Sequence, residues 1–445
     1  MNILIKNGKI LNPETKQKAD ADIFIYNGII EKIGKNLECN QNANIIDAQG
    51  LTITPGFVDL HSHLREPGYE YKETVASGTR AAAKGGFTTI CAMPNTSPAI
   101  DTKSSLEKLK TIIISSAIVN VLPIGAITVN RQGKRLASIK TLSKNGIVAI
   151  SDDGDDLSSI RLLKTAMIIA KKENLPISQH CEDPILTKDG HMHEGWVSNR
   201  LGLQGRPREA EVNMIKRDIA LAAEFGAHLH IAHISTKEGV MLIKKAKKAN
   251  IHITAEVTPH HLTLTHEAII KPEGFRSSQS INYNTNAKVN PPLREEDDVL
   301  ACIKGINDDT IDAIATDHAP HAKKEKEIEF PKAPPGISGL ESAFAVGMTL
   351  VNNRSITFEK LISKMTIDPV KAWNLNKIQG LEGIGTIVKG KKADLAIIDE
   401  KKKWIFSKDQ MVSKGENSPF MESEFTGKVV MTIHNGNIIY SEKNN

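Results

Sequence analysis

Eight short apolar runs rich in Ile, Val and Thr recur through the middle of this chain, at 57–61, 88–95, 118–124, 147–153, 176–181, 228–235, 253–260 and 311–318. Helix-like stretches separate most of them, for example 73–84, 158–173, 209–225 and 236–249. A continuously apolar strand is buried on both faces, and a parallel neighbour is reached only through a long crossover. Such strands alternating with helices make an α/β protein with a parallel sheet under helices, and eight of them suggest a (β/α)8 barrel of the TIM type. An open doubly wound sheet competes, but no Gly-rich phosphate turn follows the first run.

The two ends of the chain read differently. Ile3-Leu4-Ile5 leads into Asn7-Gly8, and Ile23-Phe24-Ile25-Tyr26 into Asn27-Gly28. Near the other end lie a strand at 393–398 and a second, 429–434, that runs into Asn435-Gly436. Asn-Gly supplies the positive φ angles of a type I′ hairpin turn, so each pair is expected to turn a hairpin. Neither end is long enough for a stable β-domain alone. The two are therefore expected to pair into one small β-sandwich, 1–54 with 376–445, leaving 55–375 as the barrel inserted between them.

Composition excludes several functions. The net charge of +5 is dispersed and aromatics are only 4%, which argues against a nucleic-acid surface. The four cysteines, Cys39, Cys91, Cys181 and Cys302, form no CxxC pair and fit a reduced, intracellular chain. No uncharged apolar run approaches the ~20 residues that span a bilayer, and the first residues carry no basic leader pattern. A cytoplasmic protein without membrane contact is the expectation.

The residues that end the strands carry the chemistry. Strand one ends in His61-Ser62-His63, and because side chains alternate, the two imidazoles point to one side, about 6–7 Å apart along the backbone. Strand four ends Ser151-Asp152-Asp153-Gly154, strand five Gln179-His180-Cys181, strand six Ala232-His233-Ile234-Ser235 and strand eight Thr316-Asp317-His318. In a barrel all these ends face one mouth. Four histidines and two aspartates then converge, and N/O ligation without sulfur suits zinc, manganese or cobalt. Alternation does not choose between Asp152 and Asp153 so near a strand end. Other candidates read as structural: His228, His230 and His252 as core side chains, His191 and His193 as exposed loop residues, and Asp152, Asp155 and Asp156 as turn or cap residues.

This order of ligands resembles the amidohydrolase superfamily. Within it, the run PGFVDLHSHLREPG at 55–68 is similar to one signature of the dihydroorotase family, and ATDHAPH at 315–321 to the other. Met93-Pro94-Asn95-Thr96, Asn290-Pro291-Pro292-Leu293-Arg294 and the run PPGISGLE at 334–341 match as well. The resemblance covers essentially the whole chain and points to the long bacterial class.

It implies two zinc ions per subunit, one held by His61, His63, Asp153 and Asp317, the other by Asp153, His180 and His233. It implies Asp317 as the proton shuttle. Arg65, Asn95 and His321 would hold the substrate carboxylate, and His63, Asn290, Pro335 and Gly336 would line the rest of the pocket. The implied reaction is the reversible cyclisation of N-carbamoyl-L-aspartate to L-dihydroorotate and water, a step of de novo pyrimidine (UMP) biosynthesis. A metal-bridged hydroxide and the Asp317 shuttle would carry it. Homo-oligomers and, for some members, association with aspartate transcarbamoylase also belong to the family.

Two departures matter. Hydantoinases and some dihydroorotases place a carboxylated lysine after strand four, whereas Gly146 to Ser151 contains none, and the resemblance puts the Asp153 carboxylate in its place. The polar stretch 271–280 reads as an inserted surface loop. The alternatives are a related cyclic amidase (allantoinase or hydantoinase) and a non-catalytic homologue that scaffolds aspartate transcarbamoylase. The lysine-free strand four and the Arg65, Asn95 and His321 set argue against the first. The complete ligand set argues against the second.

Overall fold

The computed structural model describes residues 2–38, 43–155, 157–270 and 283–442. The 271–280 insertion, Cys39 and Asp156 lie outside them. Parallel pairing joins Phe57–Ser62 to Phe87–Ala92 and the latter to Asn120–Pro123. Ile177–Gln179, Leu229–Ile231, Ile253–Val257 and Ala313–Ile314 pair in that order on the other side. Single bridges complete the ring: Gly125 to Ile150, Ile150 to Ile177, and Ser62 to His318. The barrel is the fold that the eight apolar runs imply.

The fourth run is shorter than its sequence suggests. It keeps ladder bonds only near Ile150, where Ser151 N donates to Gly125 O at 2.9 Å and Ile150 N to Pro176 O at 3.1 Å. Beyond it side chains replace the ladder, because the Asp152 carboxylate accepts the amides of Ile127 and Thr128 at 2.8 and 3.1 Å. Asp152 thus ties two loops at the mouth together instead of capping a helix.

The helices start where their caps lie. Thr74 and Ser77 form a capping box at Val75–Lys84, Ser159 caps Ile160–Glu173, and Thr236 caps Lys237–Lys248. On Ile160–Glu173 the buried residues are Leu163, Ala166, Met167 and Ala170, one stripe at helical spacing turned to the barrel. At the base of the barrel Phe57 meets Phe87 edge-on at 5.6 Å and stacks on Phe344 at 5.5 Å.

Both chain ends enter one eight-stranded sheet. In it Leu395–Ile405 pairs antiparallel with Thr52–Pro55, so the late strands join the early ones directly. Ile5, Ile23, Ile53, Leu395 and Ile433 share its core. Two Asn-Gly pairs turn hairpins as expected: Asn27-Gly28 at φ 48° and 82°, Asn435-Gly436 at 48° and 72°. Asn7-Gly8 does not. It is a bulge inside Ile3–Asn12, where the register shifts between Ile5 and Gly8 and the Asn7 amide donates to Asp22 Oδ1 at 2.9 Å. Positive φ serves a bulge as well as a turn, and pairing with Gln17–Tyr26 decides which. Among the described residues no helix is long and apolar enough to cross a membrane.

Candidate active site

Strand one delivers His61 and His63 to the mouth, and strand eight is tied to it by backbone and side-chain hydrogen bonds. The His63 amide donates to His318 O at 2.8 Å, and the Thr316 amide to Asp59 Oδ1 at 2.8 Å. Asp317 is thereby held beside His63, with Oδ1 3.0 Å from His63 Nε2. His180 and His233 arrive from strands five and six, with His180 Nδ1 3.0 Å from His233 Nε2. Asp153 lies between the two histidine pairs. Its Oδ2 is 3.4 Å from Nε2 of both His61 and His63, while its Oδ1 is 3.2 Å from His233 Nε2 and 3.9 Å from His180 Nδ1. One carboxylate therefore faces both halves of the site.

His61 gives the sharpest test of metal fit. Its Nδ1 lies 2.7 Å from Glu256 Oε1, which fixes the proton there. Its Nε2 is buried and has no hydrogen-bond partner among the described residues. An imidazole held by a carboxylate, with its other nitrogen turned to a cluster of oxygens, is the arrangement that metal-binding histidines adopt. Buried carboxylates also demand compensating charge. Burial disfavours a proton on His61, but Asp153 and Glu256 outweigh it and hold its pKa well above the usual value. Burial would raise Asp317, yet the hydrogen bond from His63 and the charge of His61 keep it below the usual carboxylate range. His61, His63 and Asp317 offer donor atoms within 4.8 Å of one another, as do His61, Asp153 and His233. These donors fit a divalent metal.

Three site residues, Arg65, His233 and Asp317, have positive φ of 62°, 33° and 45°. Left-handed backbone costs energy in residues with a Cβ and gathers where function requires it.

The remaining expected residues surround a cavity of about 160 Å³ lined by His63, Arg65, Asn95, Asn290, His321 and Pro335, among others. It has room for a small ring. Arg65 donates from Nε to Pro320 O at 3.2 Å and touches His321 Nε2 through Nη2 at 3.4 Å. Asp59 and Glu66, the acids near it in sequence, bond instead to Thr316 and to the Val75 amide. Asn95 accepts from His63 Nδ1 at 2.8 Å. His321 lies 2.9 Å from Pro335 O and receives Lys72 Nζ on Nδ1 at 3.2 Å; burial and the charge of Arg65 push its pKa down to about 2, so the ring is neutral. Gly336, at φ 143°, lets the chain pass where a Cβ would stand 2.6 Å from Ala319 O.

Several partners are absent from the sequence reading. Glu256 is the foremost, since it joins His61 to His230, whose Nε2 lies 3.1 Å from its Oε2. Burial raises Glu256, but His61 and His230 bring its pKa down to about 2. A lone acid in the apolar strand Ile253–Val257 was the signal, because a buried carboxylate needs a partner. His230 is thus a support of the site rather than a plain core residue. Glu182 plays the same part for His180 at 3.4 Å, and also accepts from Arg206 at 2.8 Å and from Asn290 at 2.9 Å. His193, expected on the surface, is buried beside Arg294 at 3.2 Å, and His191 is half-buried. The acids near His193, Glu295 and Asp298, are already held by Arg208 at 3.2 and 3.1 Å. Glu256→Gln is expected to weaken metal binding about 10- to 100-fold with the fold intact. Competition with a chelating dye measures this, and unchanged affinity would deny Glu256 the role.

A barrel mouth with this donor set defines a metal-dependent hydrolase site. A family model described as dihydro-orotase-like matches residues 50–239. Dihydroorotases from Thermoanaerobacter sp. (strain X514) and Elusimicrobium minutum are each 45% identical, over 99% and 98% of this chain and 98% and 97% of theirs. The dihydroorotase of Caldicellulosiruptor saccharolyticus is 44% identical over 98% of both chains. The chain belongs to the dihydroorotase family. Solved structures share its fold: a dihydropyrimidinase from Brevibacillus agri has a TM-score of 0.84 at 23% identity, covering 100% of this chain and 96% of that one. An L-hydantoinase from Arthrobacter aurescens also has a TM-score of 0.84 at 23% identity, over 99% and 96%.

Proposed function

We propose that this protein is a metal-dependent dihydroorotase, interconverting N-carbamoyl-L-aspartate with L-dihydroorotate and water in pyrimidine biosynthesis. The observation that carries the reading is Arg65 in the cavity wall, on the rim of the same pocket as Asp317 and Asp153. Among described residues Arg65 has no acidic hydrogen-bond partner, and Nη1 has no partner at all. A planar cation so placed suits a carboxylate on the ring, which hydantoins and dihydrouracil lack.

The site would take two zinc ions, with His61, His63, Asp153 and Asp317 as the donors for one and Asp153, His180 and His233 as the donors for the other. When bound, these cations acidify water and polarise the reacting carbonyl. The chain's own residues do the rest. Asp317, kept ionised by His63 and the neighbouring histidines, is a base ready to act. In cyclisation it takes a proton from the ureido nitrogen as that nitrogen attacks the carboxylate and returns it to the departing oxygen, which leaves as water on taking a second proton from solvent. In hydrolysis the same proton passes from water to the ring nitrogen. Arg65, Asn95 and His321 grip the substrate carboxylate, while Asn290, Pro335 and Gly336 bound the ring. Residues 1–54 and 376–445 serve as one β unit beside the 55–375 barrel.

The test is cyclisation of N-carbamoyl-L-aspartate by metal-loaded protein. Turnover of a hydantoin or allantoin in its place would overturn the assignment. Arg65→Ala is expected to cost about 1.5–3 kcal/mol of charged hydrogen bonding. That is roughly 10- to 150-fold in kcat/KM, carried mainly by KM. An unchanged KM would refute the carboxylate role.

A further inference from the structure

Between Leu395–Ile405 and Glu424–His434 the chain leaves the terminal sheet and crosses to the barrel mouth. Two buried carboxylates seat it there. Glu341 accepts the amides of Val412 and Ser413, each at 3.1 Å, and Glu73 accepts the Ser413 hydroxyl and the Lys414 amide. Gly415 lies flat on Pro320, where a Cβ would stand 2.4 Å from the proline ring. The crossing reaches the pocket wall at Asn417, which is 3% exposed.

Every hydrogen-bonding position of that carboxamide is used. Its nitrogen donates to Ala319 O at 3.0 Å and to Gly336 O at 2.9 Å, and its oxygen accepts from the His321 amide at 2.8 Å and from Ser338 Oγ at 3.0 Å. Ala319, His321 and Gly336 all line the cavity. Pro320, between two of the residues so held, offers the carbonyl that receives Arg65 Nε. The metal donors hang from other supports: His61 from Glu256, His180 from Glu182, and Asp317 from the closure of strands one and eight.

We propose that Asn417, supplied by the C-terminal part of the chain, is a positioning residue that sets the distance between the 319–321 and 335–336 walls and, through Pro320, the aim of Arg65. The identity of the carboxylate so received rests on the dihydroorotase reading. Loss of the junction misplaces the grip on substrate and leaves the reacting centre in place, so its signature is a rise in KM with kcat nearly kept.

The experiment compares metal-loaded wild type with Asn417→Asp and Ser338→Ala in cyclisation kinetics and in amide hydrogen exchange. Asn417→Asp keeps the shape and both acceptor bonds, but sets an oxygen against the carbonyls of Ala319 and Gly336. The expected result is KM raised about tenfold or more with kcat within about threefold. Exchange should rise at 318–322 and 334–338 and stay unchanged at 57–63. Ser338→Ala removes one bond of the four and should shift KM and exchange the same way by less, which keeps the test decisive if Asn417→Asp does not fold. Unchanged exchange in the folded variants overturns the junction, and raised exchange with unchanged KM overturns its part in substrate capture. Wild-type protein without turnover sinks the dihydroorotase reading instead, and exchange still decides the junction.

Discussion

Asp317→Asn is expected to lower kcat by about a thousandfold while dihydroorotate affinity changes by less than about threefold, in line with the 10²–10⁴ contributed by a positioned acid–base group. The amide keeps the volume and one oxygen donor of Asp317, so the contact with His63 can persist. What it loses is the capacity to carry a proton between nitrogen and oxygen. Because Asp317 is also a proposed ligand, metal content must be measured in the same preparation. A full metal complement with collapsed kcat separates proton transfer from ligation. Near-wild-type kcat would remove Asp317 as the shuttle.

Stripping the metal is expected to abolish turnover and to lower Tm, with both restored by added zinc. A ligand at a thousand times its Kd stabilises the folded state by about 4 kcal/mol. The loss should also depend on pH in a definite direction. Without metal, Asp153 and Glu256 are compensated by a proton on His61, whose pKa they hold well above the usual value against the effect of burial. A pKa raised in the folded state adds stability that is full below the unfolded value of about 6.5 and is lost as pH climbs through the folded one. Metal-free protein should therefore lose Tm as pH rises above about 6.5. Loaded protein should not, because a cation takes the place of that proton. Calorimetry of both forms across this range checks it; parallel Tm curves would refute the coupling.

Much of the site was legible because barrel topology turns sequence position into spatial position. His61, His63, Asp153, His180, His233 and Asp317 each lie at or just past the end of one of the apolar runs, and every strand of a parallel barrel ends at the same mouth. Their convergence needed no knowledge of side-chain contacts. Asn7-Gly8 failed for the opposite reason: positive φ is a local property, but whether it bends a bulge or a turn depends on which strand lies alongside. His193 misled because polar neighbours in a loop say nothing about what packs over the loop. It is buried against Arg294, about a hundred residues away, and the ring of His266.

Local pattern thus marked the eight apolar runs and the donors at their ends, since each depends on periodicity or on a few adjacent residues, while the part given to Arg65 came from the resemblance. Alternation left Asp152 and Asp153 open and only the resemblance favoured Asp153; the tertiary structure supplies the physical reason, turning Asp152 to the amides of Ile127 and Thr128 and leaving Asp153 between two histidine pairs. It alone brought Glu256 behind His61 and Asn417 to the pocket wall. Glu256 reaches His61 195 positions away and Asn417 reaches groups 79 to 98 positions away, and such partnerships arise only when the closed barrel and the returning C-terminal segment bring distant backbone together.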